Sequence, residues 1–291
     1  GYFILMDLLQ EETLADKLVS WRKDKSNFVS QRGRRRRLSP LPSTRSKNYQ
    51  KPPKVVNKQR MQDRIRSVLL GVADAITYLH STHEVVFRDL KPTNIGFAAT
   101  NEKPNGSNNN GDVRLFDFGM ACHIDECTEE ELCGSLRYMA PESFDSSYDY
   151  STDVYAFGVV LYEVASLRSA LVPKTDMGGI NQSKTTKLTN GGLFRKLSRP
   201  RSASRSNSPV PPSASQPLSS PSSSSCVIEQ YRQQVVDQQY RPSLEGIPCL
   251  LTQNLIRDCW SSNPIQRPTM EQVQIRLKAQ SYLSYHSGCI N

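Results

Sequence analysis

Two long stretches poor in apolar residues limit how much of this chain can pack into a core. Residues 22–60 carry 14 Lys and Arg against one acid, and residues 195–225 contain 13 Ser together with Pro and Arg. Such compositions bury too little apolar surface to offset the entropy lost on ordering. Without both stretches, roughly 200 residues remain, enough for one mainly helical unit. We therefore expect one packed unit with two disordered insertions.

The positive charge of the chain is concentrated in the first of these stretches. The net charge is +9, residues 22–60 contribute +13, and the rest of the chain is therefore −4. This distribution argues against a basic folded surface and against specific nucleic-acid recognition. Arginine runs attract phosphates, so residues 22–60 could bind an anionic partner as an accessory role.

Several features bear on the compartment and on where the chain begins. No run approaches 18 apolar residues, so we expect no transmembrane segment. The chain starts at Gly1 with an apolar run too short for a signal peptide, and it therefore reads as truncated at its start. Seven scattered cysteines, an odd number, argue against a disulfide framework and favour a reducing, intracellular and cytoplasmic location.

Three of the cysteines lie close together in the sequence. Cys122, Cys127 and Cys133 are near one another, with His123 adjacent, but their spacing matches no metal-binding CxxC pattern. We expect ordinary thiols, and a zinc site is the less favoured alternative.

Hydrophobic periodicity predicts the main elements. Residues 61–80 show helical spacing, residues 153–166 are apolar on most sides, and short apolar runs alternate like strands. The predicted helices are residues 14–21, 61–80, 153–166, 250–259 and 270–277, and the predicted strands are residues 2–9, 84–87, 94–97 and 113–116.

The chemistry of the chain is concentrated in three short motifs. Residues 87–94 read FRDLKPTN and supply an acid, a cation and an amide within one loop. Phosphoryl transfer needs a base near the acceptor hydroxyl, metal ligands and a cation on the phosphates. The tripeptides DFG at residues 117–119 and APE at residues 140–142 follow in order.

Together these motifs resemble the protein kinase family. The segment DVYAFG at residues 153–158 resembles the helix that anchors the catalytic loop, and CW, NP and RPT between residues 259 and 269 resemble the C-terminal signature. Their wording is similar to the tyrosine-kinase-like group, whose members mostly phosphorylate Ser and Thr. The resemblance implies an α+β fold consisting of the mainly helical C-terminal lobe, with the N-terminal lobe missing. It also implies ATP and Mg²⁺ as cofactors and proteins as substrates.

The resemblance divides the chain, as a truncated kinase domain over residues 1–291, into five parts. These are a hinge strand and first helix (1–21), a basic disordered insertion (22–60), the catalytic core with its activation segment (61–167), a Ser/Pro/Arg-rich disordered insertion (168–226), and C-terminal helices (227–291).

The resemblance also implies roles for the motif residues. Asp89 would accept the proton of the substrate hydroxyl, and Lys91 would lie beside the transferred phosphate. Asn94 and Asp117 would hold Mg²⁺ through oxygen ligands. Ser135 would bridge Asp89 and Lys91, as a hydroxyl does in Ser/Thr kinases.

Other residues would support the loop and the activation segment. Glu142 and Arg267 would form a buried ion pair, and Asp153 would accept hydrogen bonds from the catalytic-loop backbone. Arg88 would receive a phosphate carried by Thr128.

Adenine binding is implied for the start of the chain and for one later strand. Met6 would be the gatekeeper, and Asp7 and Leu9 would offer backbone hydrogen bonds to adenine. Gly96 takes the place of a large aliphatic residue at the floor of the adenine pocket, with Leu14 as the filler. Alternatively, the strand is shifted by one residue, so that Ile95 or Phe97 forms the floor.

The chain departs from the family pattern in two further respects. Phe87 replaces a histidine, which should preserve the apolar contact with Phe118. No G-x-G-x-x-G-x-V and no V-A-I-K occurs in the chain, so this chain alone should be inactive. A pseudokinase or scaffold that uses the lobe for binding is the alternative function.

Overall fold

The computed structural model describes residues 9–35, 57–98, 113–127, 132–170 and 223–286. Within these ranges the fold is mainly helical, with short strands and two π-helical segments, Ile65–Leu69 and Gln233–Asp237. The helices are α1 (Leu14–Arg35), α2 (Lys58–Arg64), α3 (Leu70–Thr82), α4 (Tyr150–Ser166), α5 (Ser223–Arg232), α6 (Leu250–Cys259) and α7 (Met270–His286). The strands are β1 (Leu9–Thr13), β2 (Val85–Val86), β3 (Ile95–Ala98), β4 (Val113–Leu115) and β5 (Cys122–His123).

Helix α4 forms the centre of the core. All of its residues from Thr152 to Ser166 are buried, as expected of a helix that is apolar on most sides. A capping box between Asp149 and Thr152 starts the helix, and Leu167 ends it in a left-handed conformation. Helices α2, α3 and α6 contact α4, whereas α7 packs mainly against α3, and the buried apolar residues of these helices belong to one core.

The predicted helix over residues 61–80 is present but interrupted. It consists of α2 and α3 joined by the π-helical segment, and Asn57 caps its start by accepting a hydrogen bond from the Arg60 amide. Helix α3 approaches β4 closely, because a Cβ placed at Gly71 would lie 2.9 Å from Val113 Cβ. Glycine at this position lets the helix and the strand meet.

Two small antiparallel sheets carry the loops that join the helices. One sheet has the order β1-β3-β4, and the other pairs β2 with β5. Ile95 lies opposite Leu115, so the residues just before β3 and just after β4 meet at one edge. The amide of Phe116 donates to the Asn94 carbonyl over 3.2 Å at this edge.

Three element boundaries differ from the sequence-based predictions. Strand β1 ends at Thr13 rather than at Leu9, and residues 2–8 of the predicted strand lie outside the described part. Helix α1 continues to Arg35, so the predicted boundary at residue 22 falls inside a helix. Lys, Arg and Gln are good helix formers, and a nucleated helix propagates easily. Helix α5 begins at Ser223, within the predicted second insertion.

The other parts of the two predicted insertions, residues 36–56 and 171–222, lie outside the described residues. Among the helices that the structure describes, none is long and apolar enough to cross a bilayer.

Candidate active site

The carboxylate of Asp153 anchors the loop that follows β2. Asp153, fully buried in the first turn of α4, accepts hydrogen bonds from the amides of Phe87 over 2.7 Å and Arg88 over 2.9 Å. His80 Nε2 lies 2.8 Å from the same carboxylate. A carboxylate is also favoured at a helix N-terminus by the helix dipole. Asp153 therefore makes the loop contacts that the resemblance implied.

Asp89, Lys91 and Ser135 form one hydrogen-bonded group. Lys91 Nζ lies 2.6 Å from Asp89 Oδ2 and 3.0 Å from Ser135 Oγ, and the Ser135 hydroxyl donates to Asp89 Oδ1 over 2.7 Å. Asp89 is only 3% exposed. The Asn94 amide also donates to Asp89 Oδ2 over 3.1 Å. The carboxylate is thus fixed in orientation beside a cation.

Gly134 allows Ser135 to reach this group. Gly134 has a φ of +112°, and a Cβ placed on it would lie 2.9 Å from the Arg88 carbonyl oxygen. Only glycine accepts this conformation and this close approach without strain. No sequence motif singled out Gly134 for a role of its own.

Asn94 and Asp117 lie at the common edge of β3 and β4. The Asn94 side-chain nitrogen is turned toward Asp89, which leaves its amide oxygen as an available ligand atom. Asp117 is exposed and has a left-handed backbone with φ of +64°. Two oxygen donors of this kind fit a Mg²⁺ ion, which prefers carboxylate and carbonyl oxygens. Asp89 completes the polar surroundings of this edge.

The aromatic contact expected from the replacement of histidine by Phe87 is present. The rings of Phe87 and Phe118 meet edge to face with centroids 5.1 Å apart. Phe87 is fully buried, whereas Phe118 is 47% exposed. Edge-to-face aromatic pairs of this kind are favourable beyond the area that they bury.

The residues proposed for adenine binding are only partly described. Met6 and Asp7 lie outside the described residues, and the backbone of Leu9 lies opposite Ala98 in the sheet. Gly96 is buried and lies opposite Thr13 and Arg114. No sequence motif singles out these residues, and only the resemblance to the family implies a role for them.

The register of β3 bears on the two readings of the adenine floor. Ile95, Phe97 and Leu14 are fully buried members of the hydrophobic core. Since side chains alternate along a strand, the position of Gly96 belongs to the opposite face from Ile95 and Phe97. The floor of the adenine pocket at Gly96 stays a prediction.

Arg88 already has partners within the protein. Its Nε donates to the Met120 carbonyl, and its guanidinium lies 5.2 Å from the centre of the Tyr148 ring. Thr128, whose phosphate Arg88 was expected to receive, lies outside the described residues. That switch remains a prediction.

Tyr148 contacts both the activation segment, at Cys133, and the catalytic loop, at Arg88. Sequence reasoning did not identify this residue. Its hydroxyl accepts a hydrogen bond from the Cys133 amide over 2.8 Å. The carbonyl oxygens of Cys133 and Ser143 both lie 3.3 Å from the same hydroxyl. Burial raises the pKa of Tyr148, which keeps the hydroxyl protonated. A tyrosine in a polar stretch carries no motif that would single it out.

The ion pair expected between Glu142 and Arg267 is present. Arg267 Nη2 lies 2.8 Å from Glu142 Oε2, and the second nitrogen also contacts the carboxylate. The side chain of Arg267 is fully buried, and it also donates to the Ser151 carbonyl over 3.0 Å. The pair joins the end of the activation segment to the segment before α7.

The structure corrects the expectation that all the neighbouring cysteines are thiols. Cys122 and Cys127 form a disulfide with Cα atoms 5.6 Å apart. The pairing depends on the turn that brings the two residues together, which spacing alone does not reveal. Cys133 is a free buried thiol. Across the described ranges, no cluster of three or more His, Cys, Asp or Glu suited to a metal ion occurs.

Comparisons with known proteins agree with this geometry. Residues 48–276 match the protein kinase domain family. The chain is 27% identical over 168 residues to the mitosis inhibitor protein kinase SWE1 of Saccharomyces cerevisiae, covering 56% of this chain and 18% of that protein. It is 39% identical over 93 residues to Aurora kinase B of Drosophila melanogaster, covering 32% and 25%.

A third relative is the serine/threonine-protein kinase WNK8 of Arabidopsis thaliana. It is 27% identical over 164 residues, covering 56% of this chain and 26% of that protein. The chain thus spans about a quarter or less of the length of each of these three relatives.

Proposed function

The chain belongs to the protein kinase family, and on that premise we propose that the complete protein transfers the γ-phosphoryl group of Mg·ATP to Ser or Thr hydroxyls of protein substrates. The observation that carries the proposal is the hydrogen-bonded group of Asp89, Lys91 and Ser135. A pseudokinase would not need a buried carboxylate oriented beside a lysine.

Each residue of the site has a task in this proposal. Asp89 orients the acceptor hydroxyl and takes its proton, while Lys91 offsets charge on the transferred phosphate. Ser135 keeps the carboxylate and the ammonium in one orientation. Asn94 and Asp117 would hold Mg²⁺, which supplies positive charge to the phosphate oxygens when it is bound.

Finer assignments are part of the same proposal. The wording of the C-terminal motifs supports membership of the tyrosine-kinase-like group, and the name of WNK8 supports Ser/Thr specificity. We propose an intracellular, cytoplasmic enzyme, in which residues 22–60 can contact an anionic partner. Without a Gly-rich loop and its strand lysine, this chain alone should turn over no Mg·ATP.

The decisive experiment is Asp89→Asn in the complete protein. Asparagine keeps the size of the side chain but cannot accept the proton, so we expect phosphate transfer to fall below roughly a hundredth of the parent rate. ATP affinity should be retained, because Asp89 is assigned no adenine or phosphate contact. Transfer of radiolabelled phosphate to a generic protein acceptor measures the rate, and calorimetry measures the ATP affinity.

The exposed Asp145→Asn is the matched control and should leave transfer unchanged. A parent protein that binds partners but transfers no phosphate would instead indicate a scaffold.

A further inference from the structure

We propose that Cys122 and Cys127 form a reversible dithiol–disulfide site whose oxidised form closes the turn at the start of the activation segment, beside the strand that leads into the catalytic loop. The disulfide links the two ends of a short turn that follows the DFG motif. The thiol–disulfide exchange does not depend on the proposed function, whereas its effect on catalysis rests on the proposed kinase activity.

The position of Cys122 connects the site to catalysis. Cys122 lies opposite Val86 in the β2–β5 pair, and the next residue after Val86 is Phe87 of the catalytic loop. His123 lies opposite Val85, and the Ile124 amide donates to the Glu84 carbonyl over 2.8 Å. The strand that bears one sulfur is therefore the strand that pairs with the approach to Asp89.

The bond from Cys127 back to Cys122 closes the turn that follows β5. Residues Ile124–Glu126 form one 3-10 turn, and Cys127 directly follows it. Without the covalent link, the described polar contacts that hold the turn are a two-residue strand pair, the Ile124 hydrogen bond and the contacts of the His123 ring with Glu84 and with the Asp125 amide. Such short pairings are marginal alone. The disulfide is thus expected to limit how often β5 separates from β2.

The small ring argues for a local role rather than for global stabilisation. The linked residues are only 5 positions apart, and the stabilisation that a disulfide gives through the unfolded chain becomes smaller as the closed loop becomes shorter. Reduction should therefore loosen the turn without unfolding the domain. Disulfides of this kind in reducing compartments are usually transient and redox-sensing.

Among the cysteines whose side chains the structure describes, the disulfide pair is more exposed to solvent than the others. Cys122 and Cys127 are partly exposed, whereas Cys133, Cys249 and Cys259 are buried. Burial raises the pKa of the Cys259 thiol to about 12, which leaves almost no thiolate for reaction. Soluble thiols and disulfides can therefore reach the pair selectively.

The exchange proceeds in two balanced steps with glutathione disulfide as the oxidant. One cysteine thiolate attacks it, forms a mixed disulfide and releases one glutathione thiolate. The second cysteine thiolate then attacks the protein sulfur of the mixed disulfide and releases the second glutathione. Two electrons pass to glutathione disulfide, and the two cysteine protons pass to solvent or to the released thiolates.

The experiment equilibrates the complete protein in glutathione buffers of different redox potential. Differential alkylation with peptide mapping should show Cys122 and Cys127 converting together between thiol and disulfide, while Cys249 stays a thiol throughout. Hydrogen exchange of residues 122–127 should be faster in the reduced protein, with an unchanged midpoint of thermal unfolding. Two thiols at every potential, or a bond that no buffer reduces, would overturn the proposal.

Activity measurements test the catalytic consequence separately. Reduction, Cys122→Ser and Cys127→Ser should each lower kcat by about two- to thirtyfold, the usual range for coupling between sites. The variants should no longer respond to redox potential, and Cys249→Ser should behave like the parent. Exchange with no change in kcat would overturn the coupling, whereas an inactive parent in both redox states would count against the proposed function alone.

Discussion

At the residue scale, Ser135 is the side chain whose removal best separates positioning from chemistry. Its hydroxyl donates to Asp89 and accepts from Lys91, so Ser135→Ala leaves both charged groups in place but free to reorient. We expect kcat to fall about 10- to 100-fold, as a hydrogen bond to a charged group is lost. Ser135→Thr restores the hydroxyl and should recover most of the rate. Steady-state phosphate transfer measures both, and an alanine variant with the parental rate would contradict the role.

Gly96 should determine how much room the adenine pocket has. If the position faces adenine, Gly96→Leu adds apolar contact worth about 1–3 kcal/mol, which tightens ATP binding and excludes adenine analogues with added bulk on that face. Nucleotide affinities of the complete protein, measured by calorimetry, test this. Affinities that do not change with Gly96→Leu would place adenine elsewhere.

At the scale of elements, Tyr148 joins the activation segment to the catalytic loop. Tyr148→Phe keeps the ring beside Arg88 but removes the hydroxyl that accepts from the Cys133 amide. A buried donor left without its partner costs about 1–3 kcal/mol. Because Ser135 lies two residues beyond Cys133, we expect a lower kcat with an unchanged KM for ATP.

The control for this prediction is Tyr282→Phe, at an exposed position on α7. Parallel kcat and KM measurements distinguish the two outcomes. A purely structural role for Tyr148 would lower thermal stability and leave kcat per folded molecule intact.

The elements also show what the sequence can and cannot predict. Periodicity located α3, α4 and α6, because their apolar faces are buried as the pattern requires. The continuation of α1 to Arg35 was missed, because a charged composition was taken as disorder although its Lys, Arg and Gln residues favour helices. The Cys122–Cys127 bond and the role of Tyr148 depend on contacts between segments, which single-sequence patterns do not encode.

At the scale of the whole molecule, Glu142 and Arg267 join parts of the chain 125 positions apart. Glu142→Gln leaves the fully buried Arg267 without its counter-charge, which costs about 3 kcal/mol at the lower end of the range for buried pairs. The expected decrease in the midpoint of thermal unfolding is roughly 6–12 °C for a domain of this size. The exposed Glu271→Gln should change it by a degree or less, and equal effects of the two variants would mean that the pair contributes little.

The π-helical turn at Ile65–Leu69 makes the exact number of residues between α2 and α3 matter. Such a turn usually accommodates one residue more than a regular helix would, and each residue of an α-helix advances the chain by about 100° around the axis. With one residue fewer, α2 would rotate by that angle relative to α3, and Met61 and Arg64 would turn away from the core that now buries them. A related chain without the extra residue must therefore shift the apolar positions of α2 by one residue along its sequence. Otherwise it would present a different face of this helix to α4.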